Sequence, residues 1–323
     1  TRHSKSDTSL FRIENMENIT LSPVTPLYQV ALTPYVAIVC VAMNIFILIS
    51  NTLVIVTFRK FKNLKVQHYY MLALVGTDLT VFIQNSALAT ILIKQDITLT
   101  TPVCVILGSL AAFAANMTAM VHTCLSIDRW ISVVYPIKYR NFVNSRNSRR
   151  FTIAVLVAIH IGQGLQQFVF WHFRQISYYF DPYVPYCIAD YGDKGGAGLI
   201  MALLMACVLP CLIELTLNAH IIHKIRRMRS TTRARTLKAV RTVFVTLGAY
   251  YLCWIPIGVR TVWDFISPHV NPPGWFNFLA VQVVILNSGM SGVIYYCTLP
   301  NFKETLIGTI RNSLSLSRTS QST

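Results

Sequence analysis

Residues 104–130 read CVILGSLAAFAANMTAMVHTCLSIDRW: from Cys104 to Ile127 there is no charge, and the run closes on the pair Asp128-Arg129. About 20 apolar residues in a helix cover the roughly 30 Å hydrocarbon core of a bilayer. The stretch therefore reads as a membrane span with a charged pair at one end. Six further runs lie to either side of it. Residues 36–58 carry no charge, 69–93 only Asp78, 151–173 none, and 195–223 only Glu214. Residues 242–259 are uncharged up to Arg260, and 275–296 lie inside an uncharged run over 265–302. None alternates in short segments as barrel strands do. With 54% hydrophobic and 12% charged residues among 323, the chain has too little polar surface for a water-soluble globule. The expected fold is all-α: a seven-transmembrane helix bundle over 32–298, between an outer segment, 1–31, and an inner tail, 299–323.

The net charge of +16 is not spread evenly. The connections after spans one, three and five and the tail after span seven hold 4, 6, 8 and 3 basic residues, 21 of the 28. The opposite side holds seven: Arg2, Lys5, Arg12, Lys94, Arg174, Lys194 and Arg260. By the positive-inside rule the basic side is cytoplasmic, so the amino terminus is extracellular and the carboxyl terminus cytoplasmic. This face also attracts anionic lipid headgroups. No nucleic-acid partner is indicated, since the basic residues flank spans with no stacking module beside them.

Residues 1–31 lack the apolar core of a signal peptide, so span one is expected to act as its own signal anchor. Met16 reads as a translation start, with residues 1–15 upstream of it. Asn18-Ile19-Thr20 is an N-glycosylation sequon on the outer side, whereas Asn116-Met117-Thr118 lies mid-span and stays unmodified. Six of the eight cysteines fall within or at the ends of spans. Cys104 and Cys187 are the two in the oxidising compartment, where a disulfide between them would tie the loop before span five over the bundle. His220 and His223 have no third ligand near them and read as cap or interface residues. Phe302, Leu306, Ile307 and Ile310, with Lys303 and Arg311 opposite, predict a short amphipathic helix on the inner membrane surface. The Ser- and Thr-rich residues 313–323 read as a disordered tail, either simply solvated or carrying kinase sites.

Span one carries Ser50-Asn51-Thr52-Leu53-Val54, span two Leu74-Val75-Gly76-Thr77-Asp78, and span three Asp128-Arg129-Trp130, with Arg129 25 residues beyond Cys104. Span six carries Cys253-Trp254-Ile255-Pro256. Span seven ends Ser291-Gly292-Val293-Ile294-Tyr295 and is followed by Phe302-Lys303. Together these resemble rhodopsin-family (class A) G protein-coupled receptors over 51–303. The resemblance implies a plasma-membrane receptor that passes an extracellular signal to a heterotrimeric G protein, with arrestin and receptor kinases as further partners. It implies that Arg129, held by Asp128, is freed on activation and that Tyr295 belongs to the same switch. Its usual second partner, an acid at the base of span six, is replaced by Thr236, so the cross-helix ion pair is expected to be absent. Pro256 removes a helix hydrogen bond and makes span six a hinge beside Trp254, and Pro210 does likewise in span five.

An acid in mid-span is costly unless paired, so Asp78 is a functional candidate in its own right. With Thr118, Asn287 and Ser288 it would suit a sodium ion, which the resemblance implies; the other reading is a protonated Asp78 in a hydrogen-bonded core. The chain departs from the family pattern at Ser50 (usually Gly), Ser291 (Asn), Gly292 (Pro), Trp130 (Tyr), Asn218 (Tyr) and Leu156 (Trp). Glu214 finds no role in it.

Counting from these anchors places the outer pocket at Ala111, Ala112 and Ala115 in span three, Ala202 and Ala206 in span five, Ile257, Gly258 and Thr261 in span six, and Asn277, Val281 and Ile285 in span seven. No acid stands at Ala111 to pair an amine, and Ile285 replaces the lysine that would hold retinal. No cofactor is expected. The pocket reads as apolar under a tyrosine-rich loop (Tyr178, Tyr179, Phe180, Tyr183, Tyr186), with Arg260, Asp264 and Asp190 at its rim. It suits a peptide or apolar small ligand. The alternatives are a receptor active without ligand, because Arg129 lacks its second partner, and a transporter or channel using Asp78 and Glu214. The latter lacks a paired repeat of broken helices. No cluster of nucleophile, base and orienting group marks an enzyme.

Overall fold

A computed structural model describes residues 27–62, 64–94, 101–143, 146–172, 177–181, 186–190, 208–266 and 273–320. Among them run α1 (Leu27–Arg59), α2 (Val66–Lys94), α3 (Thr101–Val134), the short α4 (Pro136–Val143), α5 (Arg146–His172), β1 (Ser177–Asp181), β2 (Tyr186–Asp190), α6 (Leu209–Arg226), α7 (Ser230–Ile266), α8 (Gly274–Thr298) and α9 (Pro300–Ser320). α1, α2, α3, α7 and α8 are long and apolar enough to cross a membrane. They match runs one, two, three, six and seven. α5 and α6 fall in runs four and five but do not meet that measure. α5 mixes three arginines, His160 and three glutamines into its length, and α6 is described only from Leu209 onward.

These helices are apolar outside and polar inside, the reverse of a soluble bundle. Ile38, Leu252 and Ile255 are 65%, 69% and 57% exposed, whereas Asn44, Asn51, Asp78, Asn85, Glu214 and Gln282 are buried. Water would penalise that outer face, and lipid would not; the inward polar groups bond across helices instead.

The all-α expectation meets one exception. β1 and β2 pair antiparallel, with Phe180 opposite Cys187 and Tyr178 opposite Ala189. Aromatic residues favour such a strand pair. Two boundaries also move. α7 starts at Ser230, so most of the basic run 226–241, expected as a connection, rides on the span-six helix. No Gly or Pro interrupts residues 230–247, and Arg, Lys, Ala and Leu favour helix. α9 runs on to Ser320, so residues 313–320 are helical where a disordered tail was expected. After Gly308 nothing breaks the helix, and Leu314 and Leu316 continue it.

α1 packs on α2 and α8, α3 on α2, α5 and α6, and α7 mainly on α8. One inner core joins Val54 and Phe58 of α1, Met71 and Val75 of α2, and Ile294 and Tyr295 of α8 to Phe302 and Leu306 of α9. A second joins α2, α3 and α7 around Met117, Val121 and Leu247. The first core fixes α9 by its buried Phe302 and Leu306, and leaves Ile307 and Ile310 exposed.

Candidate functional site

At the inner end of α3, Arg129 and Asp128 are both buried. The guanidinium donates to Asp128 Oδ2 from Nη2 (2.6 Å) and Nε (3.1 Å), as expected. The other oxygen, Oδ1, accepts from the Tyr139 hydroxyl on α4 at 2.8 Å, a partner the sequence reading missed. Burial, aided by the Asp128 charge, lifts the Tyr139 hydroxyl above the usual phenol range, so it remains a donor. Among the described residues no ion pair links Arg129 to α7. Thr236, at the expected position, turns to Thr232 O (2.9 Å) and Met228 Sδ (3.7 Å). Trp130 Nε1 donates to His220 Nδ1 at 2.9 Å, so His220, on the exposed side of α6, also ties α3 to α6.

Tyr295 is fully buried between Phe58 and Phe302, and its hydroxyl meets no partner among the described residues. Trp254 stacks beside Tyr250 (centroids 5.6 Å apart) two residues before Pro256, which lies inside α7. Pro210 is buried in the first turn of the described α6.

Deeper in the bundle, Asp78 accepts from Ser291 Oγ at 3.0 Å. Ser288 is a second hydroxyl beside the carboxylate. Thr118 instead donates to Ala114 O (2.8 Å) and lies 3.4 Å from Thr77 Oγ1, and Asn287 joins none of these bonds. Asp78, Ser288 and Ser291 therefore stand together, with Thr118 one residue's contact away. Ser291, a departure from the family pattern, is bonded into the cluster.

Glu214 acquires a role. It is 1% exposed, and its Oε1 accepts from Thr123 Oγ1 of α3 at 2.9 Å while its Oε2 accepts from the Tyr251 hydroxyl of α7. Asn218 donates to its backbone carbonyl at 2.8 Å. One carboxylate on α6 thus joins three helices. His122 lies near, its ring 4.8 Å from that of Tyr250.

At the outer end, Cys104 and Cys187 form the expected disulfide, their Cα atoms 5.3 Å apart. The hairpin it holds enters the bundle. Tyr178 of β1 lies against Gly108 of α3, where a Cβ would strike its ring. Tyr186 of β2 is buried in one apolar cluster with Ile47, Leu88 and Ile285, and Val281 packs on that cluster. Asn277 is buried and accepts from Arg260 Nε at 3.0 Å. Ala111, Ala112, Ala115, Ile257 and Thr261 are half-buried and Gly258 is exposed. Thr261 Oγ1 bonds back to Ile257 O (2.9 Å). The structure thus gathers Val281 and Ile285 around Tyr186. Ala202, Ala206 and Asn18 lie outside the described residues, as do the side chains of Asp190 and Asp264.

Several of the buried polar residues carry a sequence signal in their spacing. Asn44 and Asn51 are seven apart on α1, and Asp78 and Asn85 seven apart on α2, so each pair shares a helix face. Thr123 and Tyr251 carried none, since a hydroxyl in a span is ordinary.

Comparison with known proteins agrees with this architecture. Over 304 residues the chain is 21% identical to the adenosine receptor A2a of dog and of human, covering 84% of this chain and 71% of each relative. It is 27% identical over 201 residues to the pig somatostatin receptor type 2, covering 56% of this chain and 51% of the relative. Residues 50–295, most of the chain, match the 7 transmembrane receptor (rhodopsin family), and the chain belongs to that family.

Proposed function

We propose that this receptor carries an extracellular signal across the plasma membrane to a heterotrimeric G protein, with α5 and α6 as its fourth and fifth spans, its amino terminus outside and its basic face inside. The observation that supports this best is Arg129: a permanent cation, buried at the inner mouth and held, among the described residues, by Asp128 on its own helix alone. Released from Asp128, it would face the inner cleft. Arrestin and receptor kinases would meet the same face and α9, and anionic lipid its basic rim.

The ligand belongs to the non-amine class, peptide or apolar. No acid lines the outer positions of α3, and Ile257, Val281 and Ile285 present hydrocarbon. The two kinds of relative are named for unlike ligands, a nucleoside and a peptide, and favour neither. The oxygens of Asp78, Ser288 and Ser291 suit a small hard cation such as sodium, which would supply positive charge between α2 and α8.

Basal and ligand-screened nucleotide exchange on G proteins, with Arg129→Ala at equal surface level, tests the reading. Exchange lost in Arg129→Ala is expected. Exchange unchanged by the substitution, or ion flux in its place, would overturn it. A second reading, signalling without ligand, is favoured by the missing bond from Arg129 to α7 and by Thr236 turning to its own helix. It predicts output that rises with receptor number in the absence of any added ligand.

A further inference from the structure

We propose that the pocket between α1, α2 and α8 is a phenol-binding site which the chain fills with its own Tyr186, so that an external ligand entering there must present a phenol, such as a tyrosine side chain, in its place. Tyr186 comes from the hairpin, not from a span, yet it is buried, with its ring against Ile47, Leu88 and Ile285. Its hydroxyl is read from both sides. It donates to Asn85 Oδ1 at 3.0 Å and accepts from Gln282 Nε2 at 3.1 Å. Asn85 is itself fixed by donating to Asn44 Oδ1 (2.7 Å) and Cys40 O (3.2 Å). A phenol offers one donor and one acceptor on an apolar ring, and this pocket offers one amide acceptor, one amide donor, the weaker Cys40 thiol at 4.0 Å and hydrocarbon walls. Toluene would satisfy the walls and strand both amides; an aliphatic alcohol would not fill the ring's volume.

The polar part of the pocket is built before Tyr186 arrives, since Asn44, Asn85 and Gln282 all belong to spans. Gln282 also keeps a buried Oε1 with no donor among the described residues, so a ligand bringing one more N–H would gain a bond that Tyr186 does not make. Burial raises the Tyr186 hydroxyl above the usual phenol range, so the neutral phenol is the bound form. The adjacent Cys187, bonded to Cys104 on α3, tethers the ring at its pocket. Tethering of this kind gives an effective concentration on the order of millimolar, which an external phenol must match.

The site deepens the receptor reading but is tested apart from it, on purified full-length receptor and without G protein. Tyr186→Ala should unfold at a lower temperature than wild type. Millimolar 4-methylphenol should restore several degrees to the variant and little to wild type, and toluene should do neither. Asn85→Leu added to Tyr186→Ala should weaken 4-methylphenol about tenfold. If Tyr186→Ala does not accumulate, Tyr186→Phe decides: it keeps the ring, strands Asn85 and Gln282, and should unfold several degrees below wild type. Equal shifts from toluene and 4-methylphenol, equal shifts in variant and wild type, or a Tyr186→Phe receptor as stable as wild type would each overturn the proposal. None of these outcomes bears on G-protein coupling.

Discussion

The two sides of the bundle are joined by different kinds of bond. Between the middle of α1 and α8, the bonds run from side chain to backbone, with one weaker side-chain contact farther out, Gln282 Nε2 on Cys40 Sγ at 3.9 Å. Ser50 Oγ donates to Gly289 O (2.7 Å) and accepts from Gly292 N (3.2 Å), and Asn51 Nδ2 donates to Ser288 O (2.8 Å). Between α3, α6 and α7 the joints are side chain to side chain: Thr123 and Tyr251 on Glu214, and Trp130 on His220. A backbone atom of a helix cannot turn away, so the first side can separate only by breaking bonds. Side chains can change rotamer and partner. In the proposed receptor the first side would serve as a frame, and the second, with Pro256 inside α7, would be where the inner half of a helix moves.

Gly292 is the sharpest test of the frame. Where the family has proline, this chain has a glycine whose N–H is bonded to Ser50, and a Cβ there would lie 2.5 Å from Ser50 Oγ and 2.9 Å from Ser50 O. Gly292→Pro removes that donor and forces atoms into the occupied space. Overpacking and a lost interhelical bond together should cost about 2–4 kcal/mol, seen as a large fall in folded, surface-exposed receptor. Ser50→Gly removes the nearer of these atoms, the Oγ, and leaves the Ser50 carbonyl in place. The double variant Ser50→Gly, Gly292→Pro should therefore recover part of the loss, because the two departures from the family pattern share that contact. A double variant no better than Gly292→Pro would separate them.

On the other side, Glu214→Leu takes the shared acceptor from Thr123 and Tyr251 without changing any backbone contact. Losing those bonds should shift the balance between resting and active receptor by about 1–2 kcal/mol, a roughly 5- to 30-fold rise in basal second-messenger output at equal surface level. Glu214→Gln keeps an acceptor for one hydroxyl and should fall between. Basal output unchanged in both would make the carboxylate a packing group and remove the distinction between the two sides.

The frame was more legible in the sequence than the moving side, for a physical reason. Asn51, Asp78 and Ser288 stand out because a polar residue in a span is costly and must find a partner, and charge-free runs of adequate length give the spans themselves. Glu214 stood out equally, but its partners are hydroxyls on two other helices, and nothing along one chain says which threonine or tyrosine will face it. In the sequence Tyr186 reads as part of a loop above the pocket. That it goes into the pocket depends on the disulfide position and the β register, both three-dimensional facts. The length of α9 is hidden in the sequence because serine-rich composition reads as a disordered tail, although no Gly or Pro follows Gly308.

The smallest effect belongs to Tyr139. Its hydroxyl holds Asp128 Oδ1 while Arg129 holds Oδ2, so it orients the carboxylate without touching the arginine. Tyr139→Phe leaves both Arg129 bonds in place and frees Asp128 to rotate, which should loosen the pair by about 0.5 kcal/mol and raise basal output about twofold. Because burial raises the phenol's pKa, its bond is present at and below the ordinary phenol range and is lost only as pH climbs above it. The twofold gain should accordingly be the same from about pH 6 to 8, well below a free phenol's titration near 10. A gain that changes across that interval would mean that a different group sets the pair's orientation. A gain as large as that of Glu214→Leu would mean that Asp128 and Arg129, not the three-helix carboxylate, hold the moving side closed.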